Sequence, residues 1–412
     1  MLNHFYELAR SAKRVQLGYG NHPSRGNYQK EGKALVLSTF ASVDQLTLVL
    51  QAPVKKKLQL TKVEQWVALA EEMRWDFEQK ADLAKVFGEA RVSQNLPVGY
   101  TSGVEYGDHT FYFCIAFHPE RYSMGVVVKF SAQALAYYLK AKQWQVNDFL
   151  QMVQSDRYEI RLSRIDLDLD FLEPNFTVNG IHKQLKSGVV EACTEKNIRG
   201  VKSLARKPVK LKGFAVNGKI ESVYLGSPAS ATELRIYWKG REQINRSGSH
   251  LDLALKHPNW IRFEAVFKSE YAHQLTDAIL KVKDSKALSD LIINTFLQKY
   301  YFRYSKSKRC TTYTAQMKKL VSSKKSPLLP LVAKDKDLEK KFIYLLSDSG
   351  TISTLYKILV LWGNDGLNSA LEYIGEFVQE WEPNEACMTW FRRHKNDTLK
   401  SYKIFSDFLK KV

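Results

Sequence analysis

The stretch that decides the fold is Arg164-Ile165-Asp166-Leu167-Asp168-Leu169-Asp170-Phe171. Polar and apolar residues alternate strictly, and in an extended chain alternate side chains point to opposite faces. Arg164, Asp166, Asp168 and Asp170 therefore share one face, and Ile165, Leu167 and Leu169 share the other. The apolar side has to pack on a core. Three carboxylates in a row repel one another unless cations compensate. Arg164, other basic side chains or a divalent metal could supply that charge, and oxygen ligands favour Mg²⁺ or Mn²⁺. A solvated polar strand face is the other reading.

The pattern around this strand predicts an α+β fold. Strand-like runs lie at 34–51, 110–117 and 123–130, with a turn around His118-Pro119-Glu120. A helical run at 132–153 precedes the acidic strand at 158–173. Residues 61–90 read as a helix from apolar positions three and four apart. Strand, strand, helix, strand suits an antiparallel α+β sandwich better than a doubly wound sheet. Residues 174–221 are polar and mixed, and strands follow at 221–226, 233–239 and 260–267. The expected organisation is a basic N-terminal arm at 1–32, a domain at 33–270, and a mostly helical C-terminal domain at 271–412.

Charge speaks about partners. The chain has 412 residues, with 62 Lys and Arg against 43 Asp and Glu, a formal net charge of +19. Such an excess points to polyanions, nucleic acid first. Arg199, Lys202, Arg206, Lys207, Lys210 and Lys212 follow one another with no acid between them. From Lys299 to Lys341 thirteen basic residues face three acids, with Tyr300, Tyr301, Phe302, Tyr304 and Tyr313 interleaved. This second run, with Lys306, Lys308, Arg309, Lys318 and Lys319, suits single-stranded bases or duplex. No stretch nears the roughly 20 apolar residues of a membrane span, and the N-terminus lacks a signal-peptide core. The four cysteines are scattered without metal spacing. No phosphate loop of the GxxxxGK[ST] type occurs. A cytoplasmic protein without a membrane partner is expected.

Two further segments carry chemistry. In Arg235-Ile236-Tyr237-Trp238-Lys239-Gly240-Arg241-Glu242, a continued strand puts Arg235, Tyr237 and Lys239 on one face. Flanking cations favour a phenolate, and a phenolate is a usable nucleophile. An ordinary amphipathic sheet tyrosine is the bland alternative. In Arg262-Phe263-Glu264, the arginine and glutamate point one way and the phenylalanine the other, which also fits a plain cross-strand ion pair. The histidines are scattered and read as turn or surface residues, so any metal is expected on carboxylates.

In this order the segments resemble the Rep_trans family, rolling-circle replication initiators of plasmids and phages and related relaxases of conjugative elements. The matching positions are Arg164/Asp166/Asp170, then Gly226/Ser227/Ser230, then Arg235/Tyr237/Lys239/Glu242, then Trp260/Arg262/Glu264. They cover about residues 98–270. The resemblance implies an HUH-endonuclease-like antiparallel sheet with packed helices, with acids replacing a histidine pair at the metal. It implies that Tyr237 nicks one DNA strand, stays joined to the 5′ phosphate and frees a 3′-OH primer. It implies Asp166 and Glu264 as metal ligands with Asp170 and Glu242 behind them, and Lys239 or Arg235 as the neutralising cation. Asp168 joins the metal candidates from strand parity alone. Arg262 is grouped with the DNA-binding cations. The residue after the motif tyrosine, often Asp or Asn in the family, is Trp238 here, and Tyr224 is a competing nucleophile. Expected partners are single-stranded or supercoiled origin DNA, a host helicase and a second copy of the chain. A relaxase with the same chemistry, or a catalytically silent DNA-binding protein on the same scaffold, are the competing functions.

Overall fold

The computed structural model describes residues 38–53, 56, 60, 62–107, 112–198, 201–246, 248–322, 325–329, 338–347 and 349–411. The arm at 1–32 and Arg199 lie outside the described residues, as does the side chain of Lys202.

Thirteen strands follow in chain order among these residues: β1 (Ser38–Gln51), β2 (Arg91–Val92), β3 (Ser102–Tyr106), β4 (Phe113–Phe117), β5 (Val126–Phe130), β6 (Glu159–Leu172), β7 (Val190–Ile198), β8 (Val201–Arg206), β9 (Leu211–Val216), β10 (Lys219–Gly226), β11 (Thr232–Trp238), β12 (Trp260–Lys268) and β13 (Tyr301–Tyr304). Ten make one sheet in the order β2-β3-β4-β5-β1-β6-β12-β11-β10-β9, and β13-β7-β8 make a second. All the pairings are antiparallel. The α+β class expected from the alternating strands is what the chain adopts.

The acidic strand β6 sits in the middle, between β1 and β12. Its apolar side chains Ile165, Leu167, Leu169 and Phe171 are buried in the main core. The core is aromatic on both flanks. Phe113 stacks on Phe130 at 4.1 Å between ring centroids, and Phe263 of β12 meets Phe171, Tyr313 and Phe302. The helix Glu270–Leu280 is pinned to β6 where Leu162 N–H donates to Thr276 Oγ1 at 2.9 Å. Gly125 enters β5 at φ 69°, and a Cβ there would sit 2.5 Å from the Leu50 carbonyl oxygen of β1, so only glycine fits.

Several boundaries differ from the sequence expectation. The helix expected at 132–153 is two, Ala132–Lys142 and Val146–Met152, because Gln143 turns left-handed at φ 55°. The strand expected from 123 starts at Val126, after a 3₁₀ turn. The polar stretch 174–221 holds a helix, Val178–Lys186, and strands β7 to β9. β9 is exposed along nearly its whole length, so it shows no apolar alternation. The core also runs through residue 270 without a break: Leu275, Ile292, Phe296, Phe302, Tyr313 and Leu328 belong to the same apolar cluster as β6. A boundary at 270 cuts through this cluster. Aromatics expected to stack bases, Tyr300, Phe302 and Tyr313, are fully or nearly fully buried in it.

Candidate active site

The register sets the site. Across the middle of the sheet Asp170 of β6 pairs with Arg262 of β12, which pairs with Tyr237 of β11, which pairs with Ser222 of β10. One pleat on, Asp168 pairs with Glu264, Glu264 with Arg235, and Arg235 with Tyr224. A third row begins with Asp166 opposite Gln45 of β1. The candidates in these rows lie on the face opposite Phe263 and Leu169, so side-chain parity gathers them.

One acid was missed in the sequence. The β1 register shifts between Val43 and Gln45, leaving Asp44 as the extra residue of a bulge. Bulges re-aim side chains beside functional sites, and Asp44 Oδ1 accepts from Arg262 Nη1 at 2.9 Å. The readable signal was the pair Asp44-Gln45, which breaks the alternation of the β1 run.

This face is not a solvated one. Asp166 is 2% exposed, Asp168 0% and Asp170 6%. Arg262, 6% exposed, is the hub. Its Nε and Nη2 donate to the two oxygens of Asp170 at 2.7 Å each. Its Nη1 lies 2.5 Å from Asp168 Oδ2. Trp260 Nε1 donates to Asp170 Oδ1 at 2.7 Å. Burial works against the guanidinium charge, but Asp168 and Asp170 outweigh it and hold its pKa well above the usual value. Arg262 is therefore spent inside the protein, and its assignment as a DNA contact is corrected on that ground.

The proposed metal ligands divide. Asp166 is held by Arg164 through bonds of 2.8 and 2.7 Å, though burial outweighs Arg164 and still raises its carboxyl, and Asp170 is held by Arg262 and Trp260. Glu242 pairs with Lys239 at 2.7 Å. Burial opposes its charge, but Lys239, Arg235 and Arg246 win and lower its pKa. Asp168 and Glu264 have no bidentate cation of their own among the described residues. Burial first, then Asp44 and neighbouring acids, push both carboxyls up, with Arg262 and Arg235 opposing. Asp168 Oδ1 is buried with no hydrogen-bond partner among the described residues. Among those residues no three His, Cys, Asp or Glu side chains converge closely enough to hold a metal ion. The donor chemistry of the uncommitted oxygens nevertheless fits a hard cation, since every one is a carboxylate.

Tyr237 is 3% exposed. The Arg235 guanidinium lies over its ring at 4.1 Å and the Lys239 ammonium at 5.6 Å. Lys239 begins the helix Lys239–Asn245, so it reaches the ring from the strand end and not from the strand face. The phenolate expectation is corrected too. Burial pushes the phenol far up, Arg262 pulls it down less, and Glu264 and Asp168 add to the rise. Tyr224 is half-buried, with Arg235 5.8 Å from its ring. His250, read from sequence as a turn residue, sits with its ring 6.2 Å from that of Trp260. Desolvation, then Arg262, lowers its pKa.

The basic runs are only partly available to a ligand. Arg206, Lys210, Lys212, Lys306, Lys308, Arg309, Lys318 and Lys319 are exposed, though Lys308 also bonds Glu191 at 2.9 Å. Lys207 is half-buried and lines an open cavity of about 460 Å³ with Arg206, Pro208 and Leu211.

The Rep_trans pattern, Replication initiation factor, matches residues 138–371. That is more than half of the chain, and the chain belongs to this family. It is a replication initiator, and DNA is its partner. A solved structure, the rolling circle replication initiator protein from Geobacillus stearothermophilus, is similar at a TM-score of 0.45 and 16% identity, over 70% of this chain and 100% of that one. No curated protein matches the chain significantly. No helix among the described residues is long and apolar enough to cross a membrane.

Proposed function

We propose that the chain initiates rolling-circle replication by nicking one strand at an origin, with Tyr237 as the nucleophile. The observation that carries this reading is the row Asp170–Arg262–Tyr237, flanked by Asp168, Glu264 and Arg235. It joins a tyrosine to acids and arginines on one face of neighbouring strands. The phenol oxygen attacks the phosphorus, the P–O3′ bond breaks, and the 5′ phosphate stays on the tyrosine. The phenol proton is released to solvent, and the departing 3′ oxygen takes one up as the primer hydroxyl. Attack by the primer's 3′ oxygen on the phosphotyrosine reverses the step and rejoins the strand.

Arg235 and Arg262 lower the cost of charge on the phenol oxygen. Arg235 also has a buried Nε without a hydrogen-bond partner among the described residues, a donor free for a non-bridging phosphate oxygen. Asp168 and Glu264, with Asp44 beside them, are the residues that would hold Mg²⁺ or Mn²⁺. When bound, such an ion polarises the phosphate. Asp166, Asp170 and Glu242 act behind them, each held by its own cation. The exposed cations of 206–212 and 306–319 supply phosphate affinity.

The test is a covalent-adduct assay with single-stranded or supercoiled DNA of the protein's own replicon. The expected result is a metal-dependent adduct on a denaturing gel, lost in Tyr237→Phe and Asp168→Asn and kept in Tyr224→Phe. An adduct that survives Tyr237→Phe and disappears in Tyr224→Phe moves the nucleophile. Tight DNA binding with no adduct under either metal makes the chain a silent DNA-binding protein.

A further inference from the structure

The row through the site does not end at Ser222. Ser222 of β10 pairs with Phe214 of β9, so Phe214 stands in the same row as Tyr237, Arg262 and Asp170. In the next row Tyr224 pairs with Lys212, beyond Arg235 and Glu264. Directly paired residues of an antiparallel sheet share a face, so Phe214, Tyr224 and Lys212 lie on the side of Tyr237. Two strand spacings separate Phe214 from Tyr237, about 10 Å. On this face Phe214 is 67% exposed and Val216 39%. The other face is covered: Leu211 and Gly213 line one cavity with His182 and Leu185 of the helix Val178–Lys186, and a Cβ on Gly213 would come 2.7 Å from His182 Nε2. β9 and β10 are joined by the tight turn Asn217-Gly218, both at positive φ. The hairpin is therefore a ribbon braced from behind, with an aromatic ring held out beside the site.

Charge and ring chemistry identify the occupant. From Lys210 to Gly226 the hairpin carries Lys210, Lys212 and Lys219 against one acid, Glu221. Glu221 is the extra residue of a bulge in β10 and pairs with Arg241. What is left to a ligand is cations alternating with aromatic rings. That combination suits a polyanion whose bases offer their flat faces. In a duplex those faces are stacked on one another, so an unpaired strand is the form that presents them. An anionic lipid surface would satisfy the lysines and leave the rings nothing to stack on.

We infer that the β9–β10 hairpin is a stacking platform for single-stranded DNA, with the Phe214 ring against an unpaired base beside the scissile phosphate, Tyr224 alongside it and Lys212 on a flanking phosphate. The placement beside the scissile phosphate rests on Tyr237 being the nucleophile, and the platform itself does not.

The test uses the full-length protein and two fluorescent probes, an oligothymidylate and a duplex of equal length, with Kd read from anisotropy at fixed salt. Phe214→Ala is expected to weaken oligothymidylate binding by about tenfold and to leave duplex binding unchanged. Phe214→Trp, which keeps a ring to stack on, is expected to bind like the wild type. Phe214 lies outside the apolar core, so the alanine variant is expected to melt with the wild type. Salt separates stacking from charge: Phe214→Ala keeps the slope of log affinity against log salt, and Lys212→Ala flattens it by about 0.7 on single strands. Oligothymidylate binding that is indifferent to Phe214→Ala overturns the inference, and so does an equal loss on both probes. A second measurement places the base. Origin strands with single abasic sites around the nick are titrated with the wild type and with Phe214→Ala, and at the stacked base the two losses are not additive. Additive losses at every base flanking the nick overturn the placement. Failure of Tyr237 as nucleophile reads differently, as an absent or displaced adduct while oligothymidylate binding still depends on Phe214. That result supports the platform and overturns its placement.

Discussion

Arg262 and Asp170 face each other across β12 and β6 and join through two hydrogen bonds of 2.7 Å. Both are almost fully buried. A pair of this geometry is expensive to break from one side, because the partner charge stays buried and uncompensated. Here the cost is larger in kind, since Asp168 and Asp44 lean on the same guanidinium. Arg262→Met is expected to lose about 3–5 kcal/mol of stability, read from urea unfolding. Arg262→Met/Asp170→Leu recovers part of that loss by removing one orphaned carboxylate. A loss under about 1 kcal/mol, the level of a surface pair, contradicts the hub.

Burial raises the Tyr237 phenol, so the reactive phenolate is scarce at neutral pH. The nicking rate is therefore expected to climb with pH from 6 to 9, by up to about tenfold per unit for one ionisation, without a plateau. Single-turnover cleavage of a labelled origin strand measures this. A plateau below pH 8 means that DNA or a cation has already stabilised the phenolate, and burial then does not set the rate.

Exposed cations and buried ones make opposite predictions about salt. Taking away one cation that neutralises a phosphate flattens the slope of log affinity against log salt by about 0.9 on duplex and about 0.7 on single strands. Lys306→Ala/Arg309→Ala/Lys318→Ala removes three exposed charges and is expected to flatten the slope by about 2–3. Arg262→Met, at a temperature where it remains folded, leaves the slope unchanged. An unaltered slope in the triple variant takes that surface out of the DNA interface.

Residues 164–170 revealed much of this in advance. Period-two alternation is a local property, so the acidic strand, the strands β11 and β12, and the gathering of Tyr237, Arg262, Asp168 and Glu264 on one face were legible. What was hidden depends on distant residues. Asp44 enters through a bulge that only the β1–β6 register reveals. Arg262 reads like any surface cation until Asp170 and Asp168 are seen around it. Tyr237 was credited with two neighbouring cations, correctly, but its burial is a property of the whole sheet and outweighs both. Tyr300 and Tyr313 looked like base-stacking platforms because their neighbours are basic. They are core residues because β13 and the helix Thr312–Leu320 fold under β12.

The last prediction concerns two lysines whose protons burial loosens. Lys207 Nζ lies 3.9 Å from the Tyr300 ring and donates to Thr232 Oγ1 at 3.3 Å. Lys299 Nζ lies 3.9 Å from the Tyr271 ring. Burial, then the charge of Lys299, takes Lys207 down to about 7. Burial takes Lys299 down to about 8, with Glu195 opposing. In the unfolded chain both return to about 10.5. Below pH 7 folded and unfolded chains hold the same protons, and the folded state bears the full cost of burying charge. Between pH 7 and 10.5 the unfolded chain binds more protons than the folded one, so stability rises with pH, by at most about 1.4 kcal/mol per unit per lysine. The rise is smaller than this limit, because Lys207 is not fully enclosed. Urea midpoints at pH 6.5 and 9 are expected to show the wild type more stable at the higher pH. Lys207→Met/Lys299→Met is expected to be more stable than the wild type at pH 6.5 and to lose most of the rise. Parallel pH profiles for the two proteins mean that both ammonium groups stay charged and solvated, and the seam between the two sheets is then wetter than its packing indicates.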